Sequence, residues 1–333
     1  MNRNPFSRRD CLRALASAGA LGALPQAFGQ VAAFPVKPIR MVVPYAPGGA
    51  TDALARLLGE KLAISFGQPV IVDNKAGAGG IIGTDAVAKA PPDGHTLVLG
   101  LSTSLLANQF LYAKLPYNAQ KDLALVYQIA LGPLVLAVHP SVTANTGPEL
   151  LKYVKANKGK VSYGSYGVGA YPHLAGAHMS LTQQAEMTHI PYKGEAPMVQ
   201  ELIGGQIQMA FASALQVKQH IEAGKLKAIG VSGERRMAAM PNVPTLAEQG
   251  LKDEAYRITG WLAFAAPAGT HPAVLRRIAN DVRTAVQIPD VRARITAMGF
   301  EVKDSSPELF KAAYMKELPV WERLIKQSGA KLD

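Results

Sequence analysis

The stretch IRMVVPYAPGGATDALARLLGEKLAISF (residues 39–66) carries most of the information about the fold. Residues 39–45 are mainly apolar and do not alternate with polar residues, which is typical of a parallel strand buried on both faces. Pro-Gly-Gly follows at residues 47–49, and leucines then recur at helical spacing up to Phe66. The stretch therefore predicts a buried strand, a tight glycine turn and a helix that begins at about Thr51.

Similar units of an apolar strand and a helix recur along the chain. The runs at residues 69–74 and 95–102 continue the first set, and a second set begins with the run at 133–140. This alternation predicts doubly wound α/β sheets with parallel strands and right-handed crossovers. Helical patterns at residues 272–329 come last, and we expect them to pack against the first set.

The chain of 333 residues is longer than one compact core usually holds, so we expect two α/β lobes. A ligand cleft should lie between them, because ligands of such sheets bind at the carboxyl ends of the strands. The chain is expected to cross between the lobes near residues 130–137 and 255–263. The predicted domains are an export signal at 1–29, lobe 1 at 34–132 plus 260–333, and lobe 2 at 133–259.

The N-terminal segment has the features of an export signal. Basic residues precede an apolar run at 14–24, which is too short to span a bilayer as a helix. The paired arginines of SRRDCLR (residues 7–13) are typical of a twin-arginine signal, with export by the Sec route as the alternative. We expect cleavage near Gly29 or Gln30 and a mature protein in the periplasm.

Charge and composition argue against several classes of function. Without residues 1–29 the chain keeps a net charge of +8, but its lysines and arginines are scattered and do not cluster with aromatic residues. This distribution does not indicate nucleic-acid binding and suits small anionic solutes better. Cys11, the only cysteine, lies in the predicted signal, and the seven histidines have no metal-binding spacing. The glycine stretch at 74–80 lacks the dinucleotide fingerprint, because Ile82 stands where the third glycine is required. From the histidine spacing we therefore expect no metal, and from the missing fingerprint no cofactor.

Two glycine turns carry the candidate binding chemistry. The first ends at Thr51, which can cap the following helix and leave its backbone N–H groups as a preformed anion site. The second, at residues 164–170, combines the Ser165 hydroxyl with the amides of Gly167 and Gly169. If both turns face one cleft, they form a clamp for a carboxylate, whereas the structural alternative is two plain tight turns.

Other candidate residues concern the walls of the site and catalysis. Tyr45 and Trp261 fall at strand ends near the predicted crossings, where they would either size the ligand or pack in the hinge. His173, beside the second turn, suits a site wall or a helix start better than a general base. Neither Ser102 nor Ser165 has glycine both two residues before and two residues after it, as a nucleophile elbow requires. A secreted α/β hydrolase acting on a carboxylic acid or ester and a scaffold that binds nothing remain the alternatives.

Several long motifs stand in a fixed order over residues 34–333. They are FPVKPIRMVVPYAPGGATDALAR, GQPVIVDNKAGAGGIIGTDAVAKAPPDGHTL, LPYNAQKDL, HIPYKGEAPMVQELIGGQIQMAF, AGKLKAIGVSGERR, MPNVPTLAEQG and GWLAFAAPAGT. Together they resemble the Bug family of extracytoplasmic solute receptors, the substrate-binding component of tripartite tricarboxylate transporters. The resemblance implies a monomer with a type II-like periplasmic-binding-protein fold. It also implies a mono-, di- or tricarboxylate ligand, aromatic acids included, and a transporter's membrane subunits or a sensor kinase as partners.

The resemblance also implies which residues bind the ligand, since the two glycine turns of the family hold a carboxylate through amides and hydroxyls. The matching positions are Pro47, Gly48, Gly49, Ala50 and Thr51 in lobe 1, Ser165, Gly167 and Gly169 in lobe 2, and Ser102 and Ser213 near the cleft. Tyr166 and Ala170 stand where the family usually has serine, which is compatible with a larger or aromatic acid.

Overall fold

A computed structural model of the chain describes residues 34–330. The export signal predicted at residues 1–29 lies outside the described residues. In chain order the strands are β1 (Ile39–Val43), β2 (Val70–Asn74), β3 (Thr96–Leu101), β4 (Leu123–Gly132), β5 (Val135–Val138), β6 (Ser162–Ser165), β7 (Thr188–Pro191), β8 (Met209–Ala212), β9 (Lys227–Val231), β10 (Gly260–Pro267) and β11 (Glu301–Val302).

The strands form two sheets, as the two sets of the sequence predict. One sheet has six strands in the order β11-β4-β10-β3-β1-β2, and the other has five in the order β7-β6-β8-β5-β9. Both sheets are mixed, which corrects the expectation of parallel strands throughout. In the first sheet β10 runs antiparallel to β3 and β4, and in the second β5 runs antiparallel to β8 and β9.

The direction of these strands follows from the path of the chain. Gly132 at the end of β4 pairs with Gly260 at the start of β10, so the chain leaves and re-enters the first sheet at the same edge. A strand that enters a sheet from the crossing between the lobes begins at the edge where its neighbours end. It is therefore antiparallel to them. β5 enters the second sheet in the same way directly after β4. Strand β4 itself was not among the predicted elements, since only a crossing was expected near its end.

Helices connect the strands and cover the sheets. They are α1 (Ala50–Phe66), α2 (Ile81–Ala88), α3 (Asn108–Leu111), α4 (Gly147–Ala156), α5 (Tyr171–Thr182), α6 (Glu195–Ile203), α7 (Ala214–Glu222), α8 (Glu254–Arg257), α9 (Pro272–Gln287), α10 (Pro289–Ala297) and α11 (Pro307–Ser328). A 3-10 turn at Ala78–Gly80 precedes α2, and a π-helical turn at Thr103–Ala107 precedes α3. Proline in the first turn of α4, α9 and α11 fits these helix starts, since its missing N–H would have no intrahelical partner there.

The C-terminal helices return to the first sheet, as the sequence predicts. α9 packs on α1 and β4, and α11 packs on β4 and also on α5 of the second sheet's region. Trp261 and Phe310 meet there edge to face, with ring centroids 5.1 Å apart. None of the helices within residues 34–330 combines the length and the apolar character that crossing a membrane would need.

Candidate ligand-binding cleft

A small cleft lies between the two sheets. Its walls come from segments that directly follow strand ends, including Tyr45 after β1, Ser102 after β3, Tyr166 after β6 and Ser213 after β8. It encloses about 550 Å³ of empty space, counting the solvent at its mouth. The cleft therefore suits a small ligand and has the position expected for this class of sheet.

Of the residues predicted to bind a ligand, about half lie in the wall of this cleft. Those in the wall are Tyr45, Gly49, Ala50, Thr51, Ser102, Tyr166 and Ser213, and those outside it are Pro47, Gly48, Ser165, Gly167, Gly169, Ala170 and His173. Trp261, predicted as a wall or hinge residue, also contributes to the lining.

The first glycine turn is built differently from the expectation that Thr51 caps the helix. Gly49 is the N-cap of α1, and Thr51 is already helical. No side chain caps the helix, and Asp52 instead holds the turn before it, since its Oδ2 accepts the Gly48 N–H at 3.0 Å. Burial acts to raise the pKa of Asp52, but hydrogen bonds from Arg56 and from the Gly48 amide outweigh it and lower the pKa. The turn is thus fixed by an ionised carboxylate of its own helix.

Glu195 is the one charged residue in the lining of the cleft, and the sequence analysis did not select it. Its Oε1 accepts the N–H of Ser213 at 2.5 Å, and its Oε2 accepts the N–H of Ala50 at 3.2 Å. Burial raises the pKa of Glu195, although these two amides favour its ionised form. Among the described residues, no lysine or arginine lines the cleft to balance this charge.

The first turn contacts the second sheet's region at further points around Glu195. The Ala46 N–H donates to the carbonyl of Lys193 at 3.2 Å, and Gln216 Nε2 donates to the carbonyl of Gly48 at 2.8 Å. A side chain at Gly194 would place its Cβ 3.0 Å from the Cβ of Ala46, so glycine allows the close approach. The two lobes therefore meet in a closed arrangement at this rim of the cleft.

The second glycine turn uses its polar groups within its own lobe. The Ser165 hydroxyl is fully buried, donates to the carbonyl of Gly167 at 2.8 Å and lies 2.7 Å from Nε2 of His189. The Gly169 N–H donates to Nδ1 of His173 at 3.0 Å. The structure does not bring these groups to the cleft, where only Tyr166 of this turn lies.

His173 and His189 stack on each other behind the second turn. Their ring centroids are 3.9 Å apart, with 13° between the planes. Burial lowers the pKa of His173 to about 4, and burial together with the neighbouring His173 lowers that of His189 to about 3. The Ser165 oxygen lies between the Gly167 carbonyl and His189 Nε2, and the tautomer of the His189 ring sets the direction of the hydrogen bond between the hydroxyl and the ring.

Aromatic residues form the apolar part of the cleft wall. Tyr45 and Tyr166, one from each sheet's region, meet edge to face with ring centroids 6.3 Å apart. Burial, and then the negative charge of Glu195, raise the pKa of Tyr166. Trp261 is held in place by Glu317 of α11, whose Oε2 accepts the indole N–H at 2.6 Å. The C-terminal helix therefore positions one wall of the cleft.

Two α/β sheets joined by paired crossing strands, with a small cleft at the strand ends, define a two-lobed solute-binding protein. Comparisons with known proteins agree with this class. Residues 54–330 match the model of the tripartite tricarboxylate transporter family receptor. The chain is 35% identical to the protein BugT of Bordetella pertussis over 300 residues, which cover 90% of this chain and 91% of BugT.

Solved structures are similar over nearly the whole described chain. The periplasmic binding protein BugD is 32% identical with a TM-score of 0.84, covering 90% of this chain and 99% of BugD. MatC from Rhodopseudomonas palustris, solved with bound malate, is 29% identical with a TM-score of 0.82, covering 88% of this chain and all of MatC. The chain belongs to the tripartite tricarboxylate transporter receptor family, that is, to the Bug-type solute-binding proteins.

Proposed function

We propose that this receptor captures a small carboxylate-bearing metabolite in the periplasm by closure of its two lobes, for tripartite tricarboxylate-type uptake or for sensing. One observation carries the proposal. The first turn of α1 lines the same small cleft as hydroxyl groups from both lobes. First-turn amides of a helix have no intrahelical partner and favour anions. Malate bound to MatC is consistent with this class of ligand.

Closure is proposed to occur about the paired strands β4 and β10. Lobe 1 would comprise residues 34–132 with 260–333, and lobe 2 residues 133–259, which agrees with the membership of the strands in the two sheets. A ligand that contacts both lobes stabilises the closed form by its differential contacts, and a transporter or sensor can then distinguish the loaded receptor from the empty one. Membrane subunits of a transporter or a sensor kinase are the proposed partners of a monomeric receptor.

The family is a class of receptors, not of enzymes, and we propose that this member is likewise not catalytic. Ser165 and His189 form a close Ser–His pair, but the Ser165 hydroxyl is fully buried and neither residue lies in the wall of the cleft. Among the described residues, no group of His, Cys, Asp and Glu side chains could hold a metal ion. Residues 1–29 are proposed to act as a twin-arginine export signal, cleaved near Gly29 or Gln30.

Ligand screening tests this function directly. The purified mature protein is heated with mono-, di- and tricarboxylates, aromatic acids included, and hits are titrated by calorimetry. A ligand at about 100 times its dissociation constant should add about 2.7 kcal/mol to the free energy of unfolding and raise the melting temperature by about 5 °C or more. Turnover of a bound acid would contradict the proposal, as would a full panel without any hit.

A further inference from the structure

We propose that Glu195 determines ligand specificity, and that the bound acid presents a cationic nitrogen to it. The inference rests on the proposed function as a carboxylate receptor. The expected ligand is then a small acid that also carries an ammonium group, and not a plain di- or tricarboxylate.

The first step is that Glu195 already occupies donors of the candidate carboxylate clamp. The amides of Ala50 and Ser213, one from each lobe, both bind its carboxylate. A ligand carboxylate cannot use the same two amides while Glu195 is in place. It would also lie close to a like charge in the same small cleft.

The second step is that the Glu195 carboxylate still has unused acceptor capacity. Each oxygen takes one amide bond, whereas an ionised carboxylate has about four acceptor positions. The lining of the cleft contains no lysine or arginine within the described residues. Glu195 is partly exposed to the cleft, so a cationic group on the ligand can reach its free acceptor positions and supply the opposite charge that the lining lacks.

The third step is that donors remain for the carboxylate of the same ligand. With Gly49 as the N-cap of α1, the N–H groups of Thr51 and Asp52 belong to the first turn and have no intrahelical partner. The Ser213 hydroxyl is buried beside the Glu195 carboxylate without a hydrogen bond of good geometry, so it can turn to a ligand oxygen when Glu195 binds a cation. The cleft thus offers an acceptor at Glu195 and several donors elsewhere, which matches a zwitterion.

Matched pairs of acids that differ only by one ammonium group test this assignment. Succinate and aspartate, glutarate and glutamate, and butanoate and 4-aminobutanoate are titrated by calorimetry into the wild type and into Glu195→Gln. The wild type should bind the ammonium member of at least one pair about tenfold more tightly or better, since a desolvated charge pair discriminates strongly. In Glu195→Gln this preference should disappear or reverse, because glutamine keeps the shape and removes the charge.

Glu201→Gln is the matched control, because Glu201 lies on the same helix α6 with its side chain exposed. It should leave every ratio unchanged, and the melting temperatures of the empty variants verify their folding. A wild type that binds the plain acids at least as tightly would overturn the role of Glu195 while leaving the proposed function intact. An unchanged ratio in Glu195→Gln would do the same, whereas no binding by any acid would contradict the proposed function itself.

Discussion

The two glycine turns that precede α1 and α5 have the same form in sequence but use their polar groups differently. In the first turn the Ala50 N–H reaches a carboxylate of the other lobe, and Thr51 lines the cleft. In the second turn the Ser165 hydroxyl and the Gly169 N–H bind groups of their own lobe. A glycine turn between a strand and a helix can therefore bind a ligand only where its N–H and hydroxyl groups point into the cleft.

The second turn instead serves close packing between the lobes. Gly167 lies directly against Gly79, where an added Cβ would be 3.1 Å from the Gly79 Cα. At Gly169 an added Cβ would overlap the Leu111 side chain, at only 1.7 Å from Cδ1. The glycines of this turn are thus required by their neighbours in lobe 1, although Gly167 also borders a second pocket that lies between the turn and Gly77–Gly80.

The largest effect expected of a single substitution is the loss of stability on Gly169→Ala. The residue has φ +75°, which strains a side chain, and the new methyl group must displace Leu111. We expect a loss of about 3 kcal/mol in the free energy of unfolding, measured by urea denaturation. Gly67→Ala is the control, since Gly67 has φ +63° but no neighbour within 4 Å, and should lose only about 1 kcal/mol. If both variants lose the same free energy of unfolding, backbone strain at positive φ accounts for the loss and the clash with Leu111 does not.

The alternation of strands and helices and the two sheets could be predicted from the sequence because apolar runs and glycine turns are local signals. The reversed directions of β5 and β10 could not, since they depend on where the chain crosses between the sheets. β4 was missed because the run LALVYQIALG overlaps the predicted crossing at residues 130–137, so its residues were read as a connection between the lobes. Which strand ends at such a crossing is set by tertiary pairing, here with β10.

The candidate site was only partly predictable for a similar reason. Glu195 and Ala50 are 145 residues apart, and an acidic residue at a helix start has an ordinary local explanation in the helix dipole. Likewise, Ser165 and His189 are 24 residues apart and show no recognisable spacing. The amides near a glycine turn can be located from sequence, but what they bind depends on the packing of distant segments.

The next effect is a loss of stability in mild acid that originates at the second turn. His173 and His189 have pKa values of about 4 and about 3 in the folded protein, below the usual value of 6.5. As the pH falls from about 6.5 towards 4, the unfolded chain takes up protons that the folded protein does not, so the free energy of unfolding decreases. The slope is about 1.4 kcal/mol per pH unit for each ring.

Urea denaturation at pH 7 and pH 5 measures this loss, with His189→Gln as the matched variant. The variant should lose less stability over this interval than the wild type, because one of the two titrating rings is gone. His271→Gln serves as the control, since its exposed ring caps α9 at the surface. Identical pH dependence of the wild type and His189→Gln would contradict the assignment of the acid response to the stacked rings.

A moderate effect is expected from Ser165→Ala, which removes the internal hydroxyl of the second turn. Nε2 of His189 and the carbonyl of Gly167 would then lose a buried partner. The free energy of unfolding should fall by about 2 kcal/mol, as for other buried groups left without a hydrogen bond. Ligand affinity should stay within about twofold by calorimetry, and a tenfold loss of affinity would place this hydroxyl in the binding site after all.

Thr51→Val gives the converse and smallest effect, because it removes the hydroxyl of the first turn while keeping its shape. Thr51 lines the cleft, so a carboxylate held there loses one neutral hydrogen bond, which weakens binding about fivefold. The free energy of unfolding should change by less than about 0.5 kcal/mol, since Thr51 does not cap the helix and Asp52 holds this turn. Calorimetry and urea denaturation on Thr51→Val and Ser165→Ala together separate the two roles. If both variants lose affinity, or both lose stability, to the same extent, the two turns do not differ in role as described.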